Sequence, residues 1–175
     1  EHSRTDSIAD VQRALNIMSR EIAIGGYGFD SADNGLVAGD CDASTIRVRS
    51  NLDRFSADSN SIDGLGEDVK YLVDSSDDRD YLVRHDQFAA VGTSQSTVLA
   101  NRISSLEIIY WGPDNTPLDV TDPSQVANAV GVRITLNAEL LAVGNEGAPG
   151  YQPATTIQLV SDVALRNKTQ NLATY

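Results

Sequence analysis

The sequence has few of the residues on which small proteins often rely for cross-links and chemistry. In 175 residues there are one cysteine, one methionine, one tryptophan and two histidines. The one cysteine, Cys41, excludes an internal disulfide, and its neighbours Asp40 and Asp42 disfavour the thiolate that a nucleophile needs. No apolar run approaches the ~18 residues of a membrane span. A hydrophobic core must therefore stabilise the fold, and 41% hydrophobic residues is an ordinary supply for one.

Positive charge is also scarce. Lys and Arg number 13 against 25 Asp and Glu, which gives a formal net charge of −12 at pH 7. Proteins bind nucleic acids largely by neutralising phosphates with Lys and Arg, so this balance argues against DNA or RNA as a partner. The simplest interpretation is an acidic, solvated surface that keeps the protein soluble; a divalent-cation site or a basic partner is the alternative.

The signature motifs of common enzyme classes are missing. The sequence contains no G-x-S-x-G, HExxH, CxxC, Walker or GxGxxG pattern. His85 beside Asp86 would need an unidentified serine to complete a Ser–His–Asp arrangement, and no pattern singles out a catalytic pair among the 25 carboxylates. We therefore predict that the protein is not an enzyme. A secreted hydrolase is the third-ranked hypothesis for its function.

What the sequence does contain is a regular apolar stripe near its start. Its members are spaced alternately three and four residues apart, and Gly25-Gly26 follows as a stop signal. The pattern predicts an amphipathic helix over residues 6–24 that packs along another surface. We expect the stripe to face a sheet, and its first members to contact neighbouring subunits as well. The stripe consists of Ile8, Val11, Leu15, Met18 and Ile22.

From residue 45 the apolar period changes to two, after an aperiodic loop over residues 28–44. This predicts an antiparallel sheet region over residues 45–166 and an α+β fold, a single domain over residues 1–175 with the leading helix packed on the sheet. One predicted strand groups Tyr81, Val83 and His85 on one face. The predicted strands are 44–50, 67–74, 80–86, 104–111, 129–141 and 155–165.

The helix end resembles that of prepilin-type proteins, in particular the W-type minor pilins and the related J-type pseudopilins. Those proteins carry a phrase close to MSREIRMAGY at this point, and the phrase here is Met18-Ser19-Arg20-Glu21-Ile22 followed by Gly26-Tyr27. Three later stretches, STIRVRSNLDRF, RISSLEIIYWGPDNTPL and VANAVGVRITLNAEL, resemble strands of the same family. The resemblance therefore covers nearly the whole chain.

The resemblance implies a non-catalytic subunit of a type IV pilus, placed at the filament tip and priming assembly. Its partners would be other minor pilins and the major pilin or, in the alternative of a type II secretion system, other pseudopilins. It also implies an apolar helical segment ahead of this helix, roughly one membrane span long. We expect the chain to be truncated after that segment, which would hold the precursor in the inner membrane of the bacterial cell envelope before it joins the filament.

An acidic loop over residues 51–70 gives a rival hypothesis, a calcium-dependent adhesion or binding module at the tip. Its carboxylate and amide oxygens are ligands that calcium prefers. The EF-hand order fails, however, because Ile62 takes the fifth position counted from Asp58, and the glycine comes one place late. A solvated, turn-rich loop is the simpler interpretation. The calcium candidates are Asp53, Asp58, Asn60, Asp63, Glu67 and Asp68, with a weaker second cluster at Asp30, Asp33, Asp40 and Asp42.

Two adjacent aromatic residues, Tyr110 and Trp111, end one predicted strand. Because side chains alternate across a strand, one ring must point into the core and the other outward. Packing over the sheet explains the outward ring most simply. A carbohydrate- or partner-binding aromatic is the alternative.

Overall fold

The computed structural model describes residues 2–30, 32–54, 61–89 and 95–168. Within these ranges the chain is α+β: one long helix comes first, and seven antiparallel strands follow. No helix in the same ranges combines the length and apolar composition that crossing a membrane requires. The elements are α1 His2–Ala23, β1 Ile46–Arg49, β2 Asp68–Asp74, β3 Tyr81–Asp86, β4 Ser96–Asn101, β5 Ile103–Trp111, α2 Pro123–Val126, β6 Gly131–Leu140 and β7 Thr155–Ala164.

The described strands form two sheets, where the sequence predicted one. Strands β1 to β4 make a four-stranded sheet and β5 to β7 a three-stranded sheet, each in chain order. The division falls at Arg102, which alone joins β4 to β5 and has a φ of 56°. A single residue in the left-handed backbone conformation thus leads the chain from one sheet to the other. Strand β4 was not predicted, because its sequence STVLAN lacks an apolar alternation.

Helix α1 packs through the predicted stripe. It begins before residue 6 and ends at Ala23, and it lies against β4, β6 and β7. Val11, Leu15, Met18 and Ile22 are buried in a hydrophobic cluster that takes residues from the helix and from both sheets. Beside the stripe, the hydroxyl groups of Ser19 and of Ser161 on β7 share a hydrogen bond of 2.8 Å. The helix thus covers the inner face of the three-stranded sheet.

Glycines let the chain after α1 pass close to β1. The Gly26 N–H donates to the Arg49 carbonyl at 2.8 Å, and the Arg49 N–H donates to the Gly35 carbonyl at 2.7 Å. Gly35 has a φ of 74°, and a Cβ placed on it would lie 2.1 Å from the Gly26 nitrogen. Only glycine fits this crossing, since both the backbone conformation and the space exclude a side chain.

The inner face of β3 combines one buried apolar residue, Leu82, with two charged residues, Arg84 and Asp86. The register pairs Val73 with Leu82 and Tyr71 with Arg84, which places Arg84 on the inner face. The sequence predicted that Tyr81, Val83 and His85 share one face of β3. They do share a face, but it points away from the helix.

The inner arginine of β3 is explained by a carboxylate at the end of the helix. Arg84 Nη2 and Nε donate to the two oxygens of Glu21 at 2.8 and 3.0 Å, and the Tyr71 hydroxyl donates to the same carboxylate. Burial, followed by the charge of Glu21, raises the pKa of the Tyr71 hydroxyl. A bidentate, charge-assisted contact of this kind ties the helix to the four-stranded sheet.

The glycine crossing predicts that Gly35→Ala will destabilise the fold by more than ~2 kcal/mol, because it combines a left-handed φ with a backbone clash. Gly39→Ala is the matched control, since a Cβ on Gly39 has nothing within 4 Å. It should change the free energy of unfolding by less than ~0.5 kcal/mol. Urea titrations of both variants measure the difference, and equal effects would contradict the proposed crowding.

The Glu21–Arg84 contact predicts strong coupling in a double-mutant cycle. Arg84→Leu should cost about 2–3 kcal/mol, somewhat below the ~3–5 kcal/mol of a fully buried pair, since the two side chains keep 19% and 25% exposure. Adding Glu21→Leu should recover at least ~1 kcal/mol relative to additivity.

The control for this cycle is the Arg133–Asp162 pair on the outer face of the three-stranded sheet. It has the same bidentate geometry, but its side chains are 44% and 64% exposed. Its coupling energy should stay below ~1 kcal/mol, as is usual for surface pairs. Additive effects for Glu21 and Arg84 in urea titrations would refute the assigned role.

Candidate functional site

The structure separates the five predicted subunit-packing residues into two groups. Val11, Leu15, Met18 and Ile22 are buried against the protein's own sheets, so they have no surface left for another subunit. Ile8, one turn earlier, is 37% exposed. Of the five, Ile8 is therefore the residue that can contact a partner.

Ile8 belongs to an apolar surface that we call the helix-start surface, formed by Ile8, Leu140 and Leu141. A groove of about 460 Å³ runs beside Ile8 and Leu140, and Leu141 is 48% exposed. Sequence reasoning missed Leu141 as a surface residue, because it follows directly on the apolar alternation of β6. Two exposed aliphatic side chains and a groove at the start of a helix are features of a protein contact.

Hydrogen bonds hold the helix-start surface in shape. Arg4 Nη1 donates to Gln152 Oε1 at 3.1 Å and to the Pro153 carbonyl at 3.2 Å. Val143 and Gln152 exchange two backbone hydrogen bonds of 2.9 Å, which close the connection between β6 and β7. The first turn of the helix is thus hydrogen-bonded to this connection.

The middle of the exposed helix face is polar. Gln12, Asn16 and Arg20 are exposed there, and Arg13 pairs with Asp10 at 3.0 Å with both side chains largely in solvent. Such an exposed pair contributes little to stability. Apolar exposure resumes only at the helix end, where Ile24 is exposed. The polar middle confines the apolar contact area to the helix start and the helix end.

In the acidic loop, the Glu67 carboxylate is occupied by backbone donors. Its Oε1 accepts hydrogen bonds from the N–H groups of Leu52 and Asp53 at 2.6 and 3.3 Å, and its Oε2 accepts from Asp63 and Gly64 at 3.0 and 2.8 Å. Burial alone raises the pKa of this carboxyl, but the four donors outweigh it and hold the pKa below its usual range. Glu67 therefore ties the two described ends of the loop, at Leu52–Asp53 and Asp63–Gly64, to one carboxylate.

The other calcium candidates are not gathered into one site. Asp68 is buried between Arg47 and Arg49, at 2.7 and 2.8 Å, and Asp63 is exposed and accepts from the Ser61 hydroxyl. Asp58 and Asn60 lie outside the described residues, and Asp53 is at the start of the loop. Among the described residues, no three His, Cys, Asp or Glu side chains form a group that could hold a metal ion.

The pKa of Asp68 is held below its usual range. Burial alone raises it, but the hydrogen bonds and charges of Arg47 and Arg49 outweigh burial. A carboxylate neutralised in this way has little left to offer a cation.

The second acidic cluster is used locally as well. Two of its carboxylates pair with arginines, and the other two accept backbone N–H groups two residues ahead, as turn-forming aspartates do. The contacts are Asp40 with Arg47, Asp30 with Arg54, Asp33 with the Gly35 N–H at 2.7 Å and Asp42 with the Ser44 N–H at 2.7 Å.

The groups suited to nucleophilic catalysis are kept apart. Cys41 is buried, and burial raises the pKa of its thiol. His85 Nδ1 lies 2.9 Å from Ser96 Oγ, but the register places Asp86 on the opposite face of β3, where it accepts from the Gly66 N–H. No Ser–His–Asp arrangement is therefore assembled around His85 within the described part of the chain.

The two adjacent aromatics follow the predicted alternation. Tyr110 is buried, and its hydroxyl lies 3.1 and 3.0 Å from the carbonyl oxygens of Asp42 and Thr45. Burial, followed by the neighbouring Cys41, raises the pKa of that hydroxyl. Trp111 points outward and is half-buried, with the guanidinium of Arg133 over its ring at 5.8 Å from the centroid. The outward ring is thus available at the surface of the sheet.

Comparison of this chain with protein-family models, with curated proteins and with solved structures finds no match.

The arrangement around Glu67 predicts a specific dependence of stability on pH. A carboxyl whose pKa is lowered on folding stabilises the protein above its unfolded pKa of ~4.3, and this contribution disappears as the pH falls through the folded pKa. Glu67→Gln should cost ~2 kcal/mol at neutral pH, because hydrogen bonds to a charged group are lost. The difference in the free energy of unfolding between the variant and the unmodified protein should then become smaller between pH ~5 and ~3.

Urea titrations at several pH values measure this difference. Glu146→Gln, at an exposed position between β6 and β7, is the control and should leave the whole profile unchanged. A Glu67→Gln cost that stays constant from neutral to acidic pH would show that ionisation of Glu67 does not organise the loop.

Proposed function

We propose that this chain is the globular part of a minor pilin, a structural subunit that joins other pilin-like subunits in a type IV pilus and primes its assembly. The helix-end phrase and the strand stretches that resemble the W-type minor pilins motivate the proposal. One structural observation carries it: Ile8, the first residue of the apolar stripe, is 37% exposed, whereas Val11, Leu15, Met18 and Ile22 are buried. In the proposal, Ile8 packs against a neighbouring subunit.

The geometry of the helix supports this role. Helix α1 is continuous over 22 residues, and only its later turns are buried against the sheets. In the proposed subunit, the helix continues upstream into an apolar segment. That segment anchors the precursor in the inner membrane of the cell envelope before assembly. Within the filament, the first turns would then pack against the helices of neighbouring subunits.

The helix-start surface supplies the second element of the proposed contact. Ile8 is 37% and Leu141 48% exposed, Ile8 and Leu140 line one groove, and Leu141 lines another; Arg4 lines both grooves. A contact here would bury apolar area on the globular domain and on the helix together. The other minor pilins and the major pilin are the proposed partners.

A J-type pseudopilin of a type II secretion system is the second candidate, because the helix-end phrase resembles both families. The two candidates share the helix-on-sheet architecture and differ in which subunits they contact. The identity of the subunits bound to the protein therefore decides between them.

The proposal predicts that the complete protein, produced with a tag from its full gene, will recover other pilin-like subunits from envelope membranes of the source organism. The double variant Ile8→Asp with Leu141→Asp should reduce this recovery at least tenfold, since losing ~1.4 kcal/mol of contact energy already has that effect. Mass spectrometry of the recovered proteins gives both the yield and the identities.

Val98→Asp is the matched control for that experiment. Val98 is an aliphatic residue on β4 that is 57% exposed, more than Ile8 or Leu141, and it is distant in sequence from the helix-start surface; its replacement should leave recovery unchanged. Circular dichroism must show all variants folded. Recovery of no pilin-like subunit, or equal recovery by all variants, would overturn the proposed role or the proposed surface respectively.

A further inference from the structure

The outer face of the three-stranded sheet carries a groove, which we call the tryptophan groove, beside Trp111. Its volume is about 490 Å³, within the ~300–1,000 Å³ of small-molecule sites. It is lined by Trp111, Gly131, Arg133, Asp162 and Ala164, with the turn after β5 at its end. Strand β6 lies between β5 and β7, and the groove crosses all three strands at the end of the sheet where β5 and β7 end and β6 begins.

The floor of the tryptophan groove is one row across the three strands. Trp111 pairs with Gly131, and Gly131 pairs with Ala164, so the largest side chain stands beside the two smallest. A Cβ placed on Gly131 would meet the Val163 carbonyl at 3.4 Å and Trp111 Cβ at 4.0 Å, which are ordinary contacts. A larger residue at position 131 would thus be tolerated by the strand, and it would fill the space beside the indole.

The wall of the groove is a neutral ion pair. Arg133 Nε and Nη2 donate to Asp162 at 2.7 and 3.1 Å, and the guanidinium lies over the indole. The pair offers both N–H donors and carboxylate acceptors in a fixed plane, while its charges cancel. A neutral ligand with several hydroxyl groups matches this wall better than an ion of either sign.

The remaining end of the groove is a formed turn. The Asn115 N–H donates to the Gly112 carbonyl at 3.0 Å, and the Gly112 N–H donates to the Thr116 carbonyl at 2.9 Å. Asn115 has a φ of 58°, a conformation that asparagine adopts more readily than most residues. The site is therefore largely shaped before any ligand arrives.

The backbone beneath the groove argues against an extended peptide as the ligand. The main chain of Gly131 to Leu140 is paired on both sides, with β5 and with β7. A peptide could not add to the sheet there, because strand addition needs an unpaired edge. A ligand in this groove therefore does not extend the sheet through β6.

From these observations we infer that the tryptophan groove binds a neutral pyranose unit of an oligosaccharide. The apolar face of the sugar ring lies on the Gly131–Ala164 floor and against the part of the indole that the Arg133 guanidinium leaves uncovered, because contact with an aromatic ring buries C–H groups that water solvates poorly. Ring hydroxyls donate to Asp162 and accept from Arg133. The inference goes beyond the proposed assembly role and does not depend on it, since the groove and the helix-start surface share no residue.

The sequence provides a direct reporter of this binding. Trp111 is the sole tryptophan of the chain, so intrinsic indole fluorescence reads out this groove alone. Maltotriose, cellotriose and triacetylchitotriose are the probes, titrated into the protein with calorimetry in parallel. We expect a saturable change in emission, with the same midpoint by calorimetry, for at least one of the three.

Variants test whether the binding uses the assigned groove. Gly131→Val keeps the fluorophore and fills the floor, and Arg133→Gln removes the planar donor group; each should weaken binding at least tenfold, or ~1.4 kcal/mol. Ala164→Leu fills the same floor from β7 and replaces Gly131→Val if that variant fails to fold. Val160→Thr, on the same sheet face but outside the groove lining, is the control and should bind as the unmodified protein does.

Two results would overturn the inference. The first is that none of the three oligosaccharides gives a saturable signal by fluorescence or calorimetry. The second is that binding survives unchanged in the floor variants and in Arg133→Gln. Quenching by an unstructured glycine–serine peptide, with no response to the sugars, would assign the groove to a protein segment instead.

Discussion

The contact between Glu21 and Arg84 determines how the two halves of the structure fit together. The apolar stripe of α1 packs the helix against β4, β6 and β7, and Ser19 adds a hydrogen bond to Ser161 on β7. The bidentate contact, with the Tyr71 hydroxyl on the same carboxylate, fixes the helix end against the four-stranded sheet. The position of the helix-start surface follows, since α1 is one continuous helix from that contact back to Ile8.

The same chemistry recurs wherever this acidic chain buries a carboxylate. Glu67 is matched by four backbone N–H groups and Asp68 by two arginines. Burying a charge is costly unless hydrogen bonds or an opposite charge replace the lost water, and each site supplies its own replacement. The buried carboxylates of the acidic loop are therefore explained largely by their contribution to stability. The Arg133–Asp162 pair at the tryptophan groove, in contrast, lies at the surface and faces solvent.

Much of the fold could be predicted from the sequence, because helical and alternating apolar periods report directly on packing faces. The helix and six strands were predicted in this way, as was the outward turn of Trp111. Strand β4 was missed because its sequence STVLAN has no apolar alternation. The period also does not report on contacts between residues that are distant in sequence, so the inward-facing Arg84 and its contact with Glu21 were missed. The groove was missed for the same reason: it exists only because Gly131 and Ala164 meet Trp111 across strands that are far apart in sequence.

Arg102 sets a limit on how the chain can vary in length. It alone links β4 to β5, its carbonyl accepts the Glu139 N–H at 2.9 Å, and the next residue, Ile103, donates to the Asp80 carbonyl. An insertion here would separate the two sheets from the helix that covers both. The connection between β6 and β7 is exposed and closed by its own Val143–Gln152 bridge. Added residues, whether acquired in evolution or introduced as an epitope tag, therefore belong in that connection, between the two bridging residues.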